Sequence, residues 1–334
     1  MGKDGGQSVG RTVTRSIAWF RPEELLLTAA IAVTGGLLLL YGLPLFHGIE
    51  PVQHLVIAGS LIIVICLGMN LLGEHRTISF DRARLKRELP GSFRDWIPYI
   101  LLVLVYDLVF PLLEVVQPKL ADPVLMDMDR TIFRAEPTLL MEGLVTPPLT
   151  DLMAFVYLMY FFLPSLIVLV FYSNGWKRDF RWMTNALIIS FLIAFVGYML
   201  VPTIGPKYYI PGSYSEPLRG IFLYGPISEG FETWRSTTRD CFPSHHTAMA
   251  VICIYFGLRL AQRYKAKWAI GAVCLFIGTC LIISTLYLRY HWGVDVIAGA
   301  ATGAASIWLA RYLARWSLAN GSPSDQRKES SAGN

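Results

Sequence analysis

Two short polar stretches immediately precede apolar segments, and both stretches contain histidine. The first is Pro-Ser-His-His at residues 243–246, and the second places His291 four residues before Asp295. Histidine can act as a nucleophile or as a general acid near neutral pH. Together with serine, arginine and aspartate at a membrane surface, these residues predict histidine-based phosphoryl transfer on a lipid.

The spacing of His291 and Asp295 predicts that the two side chains work together. Residues four apart on a helix share a face, so the carboxylate can hold one ring nitrogen of the histidine. The other nitrogen is then directed outward as a nucleophile, which is the orienting principle of a catalytic triad. The pair taken alone also fits an interfacial histidine beside an ordinary helix-capping aspartate.

The first stretch predicts a helix start that could bind an anion. Pro243 and Ser244 are typical of a first helical turn, where free backbone amides and a partial positive charge favour a phosphate. Ser244 adds a hydroxyl donor, and His246 lies within the same turn. As an imidazolium, His246 could protonate a leaving oxygen. A plain helix cap with two incidental histidines is the alternative.

Basic residues near the two motifs are candidate phosphate ligands, since guanidinium and ammonium groups suit the charge on phosphate oxygens. Arg289 is two residues from His291 and must lie near the site. Lys207 and Arg239 precede the first motif in the same long loop. For any single one of the basic residues in that loop, contact with a lipid headgroup is the simpler interpretation.

Composition indicates an integral membrane protein. The chain has 334 residues, of which 54% are hydrophobic and only 16% charged, against about 25% charged in a typical soluble domain. The net charge of +5 does not indicate a nucleic-acid partner, because the basic residues lie in short loops between apolar runs. Four of the five cysteines fall inside apolar runs, which excludes a disulfide framework, and zinc-ligand spacing is absent. We expect no metal and no cofactor.

Eight apolar stretches approach the length of about 20 residues that a membrane-spanning helix needs. The predicted fold is therefore an all-α polytopic helical bundle. The predicted spans are residues 25–46, 52–72, 96–116, 152–172, 182–201, 247–261, 268–288 and 294–313. The predicted organisation is a cytoplasmic tail (1–24), two additional spans with a basic loop (25–95), a catalytic membrane domain (96–315) and a disordered cytoplasmic tail (316–334).

Loop charges predict the orientation of this bundle. Of the 29 Lys and Arg residues, 21 lie in the tails and in alternate loops, and the rest lie in the other loops. Because basic residues are retained on the cytoplasmic side, we expect both termini to be cytoplasmic and both histidine motifs to lie on the opposite face. That face also carries two long loops, 117–150 and 202–242, and residues 126–133 of the first could form an interfacial helix.

At these residues the chain resembles the type 2 phosphatidic acid phosphatase superfamily. The match lies in Pro-Ser-x-His at 243–246 and in His-x-x-x-Asp at 291–295. Within the superfamily the chain looks most like the inositol phosphorylceramide synthase branch, through Pro-Thr-Ile-Gly-Pro-Lys-Tyr-Tyr at 202–209 and the run at 127–137. The resemblance covers roughly residues 96–313 and implies a six-helix catalytic core.

The resemblance implies a role for each matched residue. His291 would attack phosphorus and form a phosphohistidine, and Asp295 would orient it. His246 would protonate the leaving group and later deprotonate the acceptor. Ser244 would bind phosphate, and no metal would take part.

The chain also departs from the superfamily pattern. The first motif, Lys-x6-Arg-Pro, is not found, because Tyr214 stands seven residues after Lys207. Ser-Thr at 284–285 replaces the usual Ser-Arg ahead of the catalytic histidine, and Arg289 is a candidate substitute. His245 occupies a position where glycine is common, and spacing favours His246 as the catalytic member of the pair.

The sequence therefore predicts a membrane phosphotransferase with a phospholipid donor and an alcohol acceptor, working at the non-cytoplasmic face in contact with the bilayer. The alternative is a lipid phosphatase or pyrophosphatase with water as acceptor. A third hypothesis, a lipid headgroup transporter, predicts paired broken helices in repeated halves, which the sequence does not show. The headgroup and the oligomeric state stay open.

Overall fold

The computed structural model of the protein describes residues 21–43, 82–174, 176–234, 237–263 and 267–320. Nine helices of more than one or two turns lie in these ranges. They are α1 (Pro22–Leu40), α2 (Arg82–Val115), α3 (Asp122–Phe133), α4 (Pro147–Ser173), α5 (Lys177–Leu200), α6 (Tyr224–Trp234), α7 (His245–Arg263), α8 (Lys267–Tyr287) and α9 (Gly293–Asn320). Short helical turns occur at Pro137–Leu140, Glu142–Leu144, Pro206–Tyr209 and Pro211–Ser213.

The described part of the chain is an all-α membrane bundle, as predicted. It contains no strand apart from one isolated bridge between Thr203 and Asp240. Five of its helices (α1, α4, α5, α8 and α9) are long and apolar enough to cross a membrane, so the protein is an integral membrane protein. The predicted spans 96–116 and 247–261 fall within α2 and α7, and the predicted span 52–72 lies outside the described residues.

Helix α7 occupies the centre of the bundle, where it contacts α4, α5, α8 and α9. Its side chains Ile252 and Phe256 are fully buried. Small residues let α9 approach closely: a β-carbon at Gly299 would collide with the carbonyl oxygen of Ser244, which immediately precedes α7. This packing brings the first turns of α7 and α9, and hence the two histidine motifs, side by side.

The two ends of the bundle differ in character. One end, here called the basic end, holds ion pairs from Asp95 to Arg21 (2.6 Å) and Lys177 (2.7 Å), and from Asp179 to Arg259 (2.5 Å). The other end, here called the histidine end, contains the starts of α4, α7 and α9 and the ends of α5 and α8. Both histidine motifs therefore lie at the same end of the bundle.

Helix α3 runs through the predicted short helix at 126–133 and lies at the histidine end. Its buried face carries Asp122 and Asp129, seven residues apart, and it contacts α9. Its other face exposes Val124, Met128 and Ile132. This two-sided character is what an interfacial helix requires.

Candidate active site

The two predicted catalytic histidines meet at the histidine end. The Nε2 atom of His291 lies 3.5 Å from the Nδ1 atom of His246, and the ring centroids are 5.6 Å apart. His291 is buried and His246 is half-buried. The contact joins residues 45 positions apart in the chain, and it follows from the close packing of α7 on α9.

The other ring nitrogen of His291 faces a buried carboxylate. Its Nδ1 atom lies 3.5 Å from Oδ2 of Asp295, and the same oxygen accepts a hydrogen bond of 2.9 Å from the backbone amide of Trp292. Asp295 is fully buried in the first turn of α9. The pair therefore has the geometry of an oriented imidazole, with Nε2 directed towards His246.

Cys241, the cysteine that lies outside the apolar runs, completes this arrangement. Its thiol is buried, lies 3.3 Å from Nδ1 of His291 and donates to Oδ2 of Asp295 at 2.9 Å. Burial raises the pKa of the Cys241 thiol, and the charge of Asp295 raises it further, so the thiol stays a donor.

The ligand atoms of Cys241, His291 and Asp295 all lie within 4.8 Å of one another, a set that could hold a metal ion. The same three atoms already satisfy one another through hydrogen bonds.

His246 is enclosed by two tyrosines of α4. The ring of Tyr157 stacks on it with centroids 4.2 Å apart at 20°, and the ring of Tyr160 lies 4.2 Å away at 35°. The Tyr157 hydroxyl is also 3.5 Å from Nδ1 of His246. The structure thus places both tyrosine rings directly against a candidate catalytic ring.

His245 faces away from this pair into the core. Its Nδ1 atom contacts the hydroxyl of Tyr160 at 2.8 Å, and its Nε2 atom contacts the hydroxyl of Ser190 at 3.1 Å. The side chain is only 3% exposed and packs on Phe191, with centroids 3.8 Å apart. Both nitrogens are thus engaged in the fold, which agrees with His246 as the catalytic member of the pair.

Ser244 caps the start of α7, as the sequence predicts. Its hydroxyl accepts hydrogen bonds from the backbone amide (3.3 Å) and the hydroxyl (3.0 Å) of Thr247. Its own amide donates to the carbonyl oxygen of Asp295 at 3.1 Å, which ties the two motifs together. Its role as a phosphate ligand stays a prediction.

Lys207 lies beside the histidines, separated from them by aromatic rings. Its Nζ atom donates to Glu232 at 2.7 Å and to the hydroxyl of Tyr290 at 3.2 Å. The Tyr290 ring stacks on Tyr157, the ring that covers His246, with centroids 5.0 Å apart. Burial alone would lower the pKa of Lys207, but Tyr290 and Glu232 raise it above its ordinary value, so the ammonium stays charged.

Arg289 adopts a left-handed backbone conformation, with φ of 65°. Its guanidinium donates to the carbonyl oxygen of Glu216 at 2.6 Å, approaches Glu142 at 3.7 Å and lies 3.8 Å from the ring centroid of Tyr214. It is therefore directed into the surrounding loops.

Arg239 is likewise engaged with protein oxygens. It donates to the carbonyl oxygens of Gln117 (3.3 Å) and Pro118 (3.2 Å). Phosphate binding by Arg289 and by Arg239 stays a prediction.

Comparison with known proteins connects this geometry to a family. The PAP2 superfamily model matches residues 124–309, which is more than half of the chain and includes both histidine motifs. The chain belongs to the PAP2 superfamily. The match does not confirm the resemblance to inositol phosphorylceramide synthases.

The chain is also similar to a PA-phosphatase related-family protein of Dictyostelium discoideum. The two are 27% identical over 126 residues, which is 37% of this chain and 22% of that protein. The chain thus matches about a fifth of the relative's length. No solved structure matches the chain.

Two carboxylates of α3 that the sequence alone does not single out support the His-x-x-x-Asp motif at 291–295. Asp129 accepts hydrogen bonds from the backbone amides of Gly293 (2.6 Å) and Val294 (2.8 Å), so it caps α9 from another helix. Asp122 accepts from the indole of Trp292 at 2.9 Å and from the amides of residues 204 and 205. Their seven-residue spacing on one helix face is the signal that could have revealed them.

Proposed function

We propose that this PAP2 superfamily member is a membrane phosphotransferase that acts on a phospholipid or lipid-linked phosphate, transferring its phosphoryl-linked headgroup to an alcohol, as inositol phosphorylceramide synthases do. The observation that carries the proposal is the contact of 3.5 Å between Nε2 of His291 and Nδ1 of His246, with Asp295 on the opposite side of His291. A nucleophile, its orienting carboxylate and a second imidazole are the parts this chemistry needs.

The reaction proceeds in two displacements. In the first, Nε2 of His291 attacks phosphorus, the bond from phosphorus to the leaving alcohol oxygen breaks, and protonated His246 gives its proton to that oxygen. In the second, His246 takes a proton from the acceptor alcohol, whose oxygen attacks phosphorus while the nitrogen–phosphorus bond breaks. Asp295 stabilises the positive charge that develops on His291.

The distance between Nε2 of His291 and Nδ1 of His246 is too short for a phosphoryl group to bind between them. A nucleophile stands about 3–3.5 Å from the atom it attacks, and a general acid stands about 2.6–3.2 Å from the oxygen it protonates. The sum of these two distances exceeds the 3.5 Å that separates the two nitrogens. The two rings must therefore move apart when substrate binds.

The specific branch and the side of the membrane also belong to this proposal. Support for the branch comes from the 202–209 segment, whose Lys207 lies against the aromatic rings of the site. Support for a non-cytoplasmic site comes from the ion-paired basic end, which lies opposite the histidines.

A lipid phosphatase or pyrophosphatase is the second candidate. The similarity to a PA-phosphatase related-family protein of Dictyostelium favours it. The two activities share the phosphohistidine and differ in whether an alcohol or water resolves it.

The experiment is turnover of phosphorus-labelled phospholipids by purified protein in nanodiscs, with and without added ceramide or diacylglycerol as alcohol acceptor. We expect a labelled transfer product that requires the acceptor and an acid-labile phosphoenzyme, both lost in His291→Ala. His246→Ala should slow turnover by about 10²–10⁴-fold. His75→Ala, distant in sequence from both motifs, is the matched control and should be active.

Release of free phosphate without an added alcohol acceptor would support the phosphatase hypothesis and contradict the transferase hypothesis. Turnover that persists in His291→Ala would contradict both. Movement of labelled lipid across the bilayer that is unaffected by His291→Ala would indicate a transporter.

A further inference from the structure

Helix α6 lies against the ring that covers the candidate catalytic histidine. Its Phe231 packs edge-to-face on Tyr157, with centroids 5.4 Å apart at 86°, and Tyr157 stacks on His246. One aromatic ring therefore separates Phe231 from the site. The sequence alone predicts a loop for the whole of residues 202–242.

Helix α6 is held in place by two polar attachments, of which the first is half-buried and the second is exposed. At its start, the Asp151 carboxylate of α4 accepts four hydrogen bonds of 2.8–3.0 Å from the consecutive backbone amides of residues 221–224. Near its end, Glu232 accepts from Lys207 at 2.7 Å and from the hydroxyl of Tyr208 at 2.5 Å. The second attachment includes a residue predicted to bind phosphate.

The other side of Phe231 adjoins an exposed apolar surface of α4. Its ring lies against Phe161 of α4, with centroids 6.1 Å apart at 25°. Phe161 is 46% exposed on a helix that crosses the membrane, and Phe162 and Leu166 continue this exposed apolar surface along the same helix. Phe231 is thus the link between the lipid-facing surface and the ring stack over His246.

The site must also open, because the rings of His246 and His291 are too close to admit a phosphoryl group. The ring of His246 is confined by Tyr157, and Tyr157 is confined in turn by Phe231. Displacement of Phe231 removes the outermost of these contacts, and it does so on the side from which a lipid chain would come.

We propose that a hydrocarbon chain of the lipid substrate enters between α4 and α6, and that Phe231 is the side chain that gives way to it. The inference rests on the proposed function in one respect, that the substrate is a lipid phosphate. The ligand of this entrance is an acyl or alkyl chain that arrives sideways from the bilayer, while the phosphate approaches Lys207 and the histidines.

Photolabelling tests the entrance without requiring turnover. The probe is a phosphatidic acid with a photoactivatable diazirine in one acyl chain, added to His291→Ala protein in phosphatidylcholine nanodiscs. We expect label on the peptides that contain Phe161 and Phe231, and we expect excess phosphatidic acid to suppress it while added phosphatidylcholine does not. Label on these peptides that no phosphatidic acid suppresses would overturn the proposal.

Substitution at residue 231 tests the same point by activity. With dioleoyl and dihexanoyl phosphatidic acid as the probes, the ratio of kcat/KM for the long over the short lipid should rise in Phe231→Ala and fall in Phe231→Trp, by about tenfold between the extremes. Phe276→Ala removes a 64% exposed phenylalanine from α8 and should leave the ratio unchanged. Equal losses for both lipids in the residue 231 variants would show a merely structural role.

The two proposals fail in different ways. Turnover that depends on His291 together with unsuppressed labelling would overturn the entrance and leave the proposed function intact. Suppressible labelling at residues 161 and 231 in a protein that turns over no lipid phosphate would overturn the function and leave the lipid entrance intact.

Discussion

His245 fills a position between α4 and α5 where the fold uses both of its ring nitrogens. Through the hydroxyl of Tyr160 it fixes a ring that lies 4.2 Å from the ring of His246. We therefore infer that His245 is a positioning residue that acts through Tyr160. This role would account for a histidine where the superfamily commonly has glycine.

Removal of the Tyr160 hydroxyl, which contacts His245, should impair catalysis and leave substrate binding intact. In Tyr160→Phe the ring still packs on His246, but one nitrogen of buried His245 loses its partner, which costs about 1–3 kcal/mol. We expect a lower kcat, an unchanged KM, a shifted pH profile and a phosphoenzyme that still forms, measured by steady-state kinetics and acid quench. If His245→Ala abolishes the phosphoenzyme and His246→Ala does not, the roles within the pair are reversed.

The thiol of Cys241 should matter as a hydrogen-bond donor to Asp295. Cys241→Ser keeps a donor of similar size, whereas Cys241→Ala leaves the carboxylate with the amide of Trp292 and Nδ1 of His291. We expect kcat to stay close to wild type in the serine variant and to fall in the alanine variant, with Asp295→Asn as the impaired reference. Equal kcat values in the alanine and serine variants would show that the thiol only fills space.

The sequence predicts some of these residues and misses others for a physical reason. His291 and Asp295 are predictable because a four-residue interval places them on one helix face without any tertiary information. Cys241 and Tyr157 come from other segments and reach the histidines only when the helices pack. Their residue types, a thiol and a phenol inside or beside apolar runs, are equally typical of ordinary packing.

At the scale of elements, α3 stabilises the start of α9 through hydrogen bonds. Asp129 supplies both oxygens to amides of α9, and Asp122 fixes the neighbouring indole. Burial raises the pKa of Asp129 to about 6, although the amide hydrogen bonds lower it. The folded protein therefore binds a proton at this site at pH values where the unfolded chain does not.

This proton linkage predicts a pH-dependent stability difference between wild type and Asp129→Asn. Since the folded pKa lies above the ordinary value of 3.8, the wild-type contribution is greatest at acidic pH and is lost as the pH rises through about 6. We expect the Tm of wild type relative to Asp129→Asn to increase as the pH falls from 7 to 4.5, in detergent. A difference that does not change with pH would show that Asp129 titrates normally.

Helix prediction succeeds where apolar runs are long and fails where polarity interrupts them. The spans α4, α5, α8 and α9 lie where hydropathy places them, because about 20 apolar residues have no other stable arrangement in a membrane. Helix α6 was missed since Ser228, Glu229 and Glu232 break its apolar pattern and because a carboxylate from another helix, Asp151, organises its first amides. Helix α2 also begins well before its predicted span, at Arg82 rather than Trp96.

At the scale of the whole molecule, charge is divided between the ends of the bundle. Asp95 and Asp179 compensate part of the basic end, through Arg21, Lys177 and Arg259. The sequence also places most of its basic residues in the tails and alternate loops that we predict to lie at that end, which favours the cytoplasm. The proposed sidedness therefore places the substrate-binding chemistry and α6 in or near the opposite leaflet.

Accessibility of single cysteines tests this orientation directly. Trp268 is 91% exposed at the basic end and Leu140 is 66% exposed at the histidine end, so a cysteine at either position can react with a membrane-impermeant maleimide. In a background with Cys66 and Cys280 replaced, Cys241, Cys253 and Cys274 are buried in the fold. We expect Leu140→Cys to be labelled on intact cells and Trp268→Cys only after permeabilisation. The reverse pattern would place the histidines on the cytoplasmic side, where the donor phosphate would have to come from the inner leaflet.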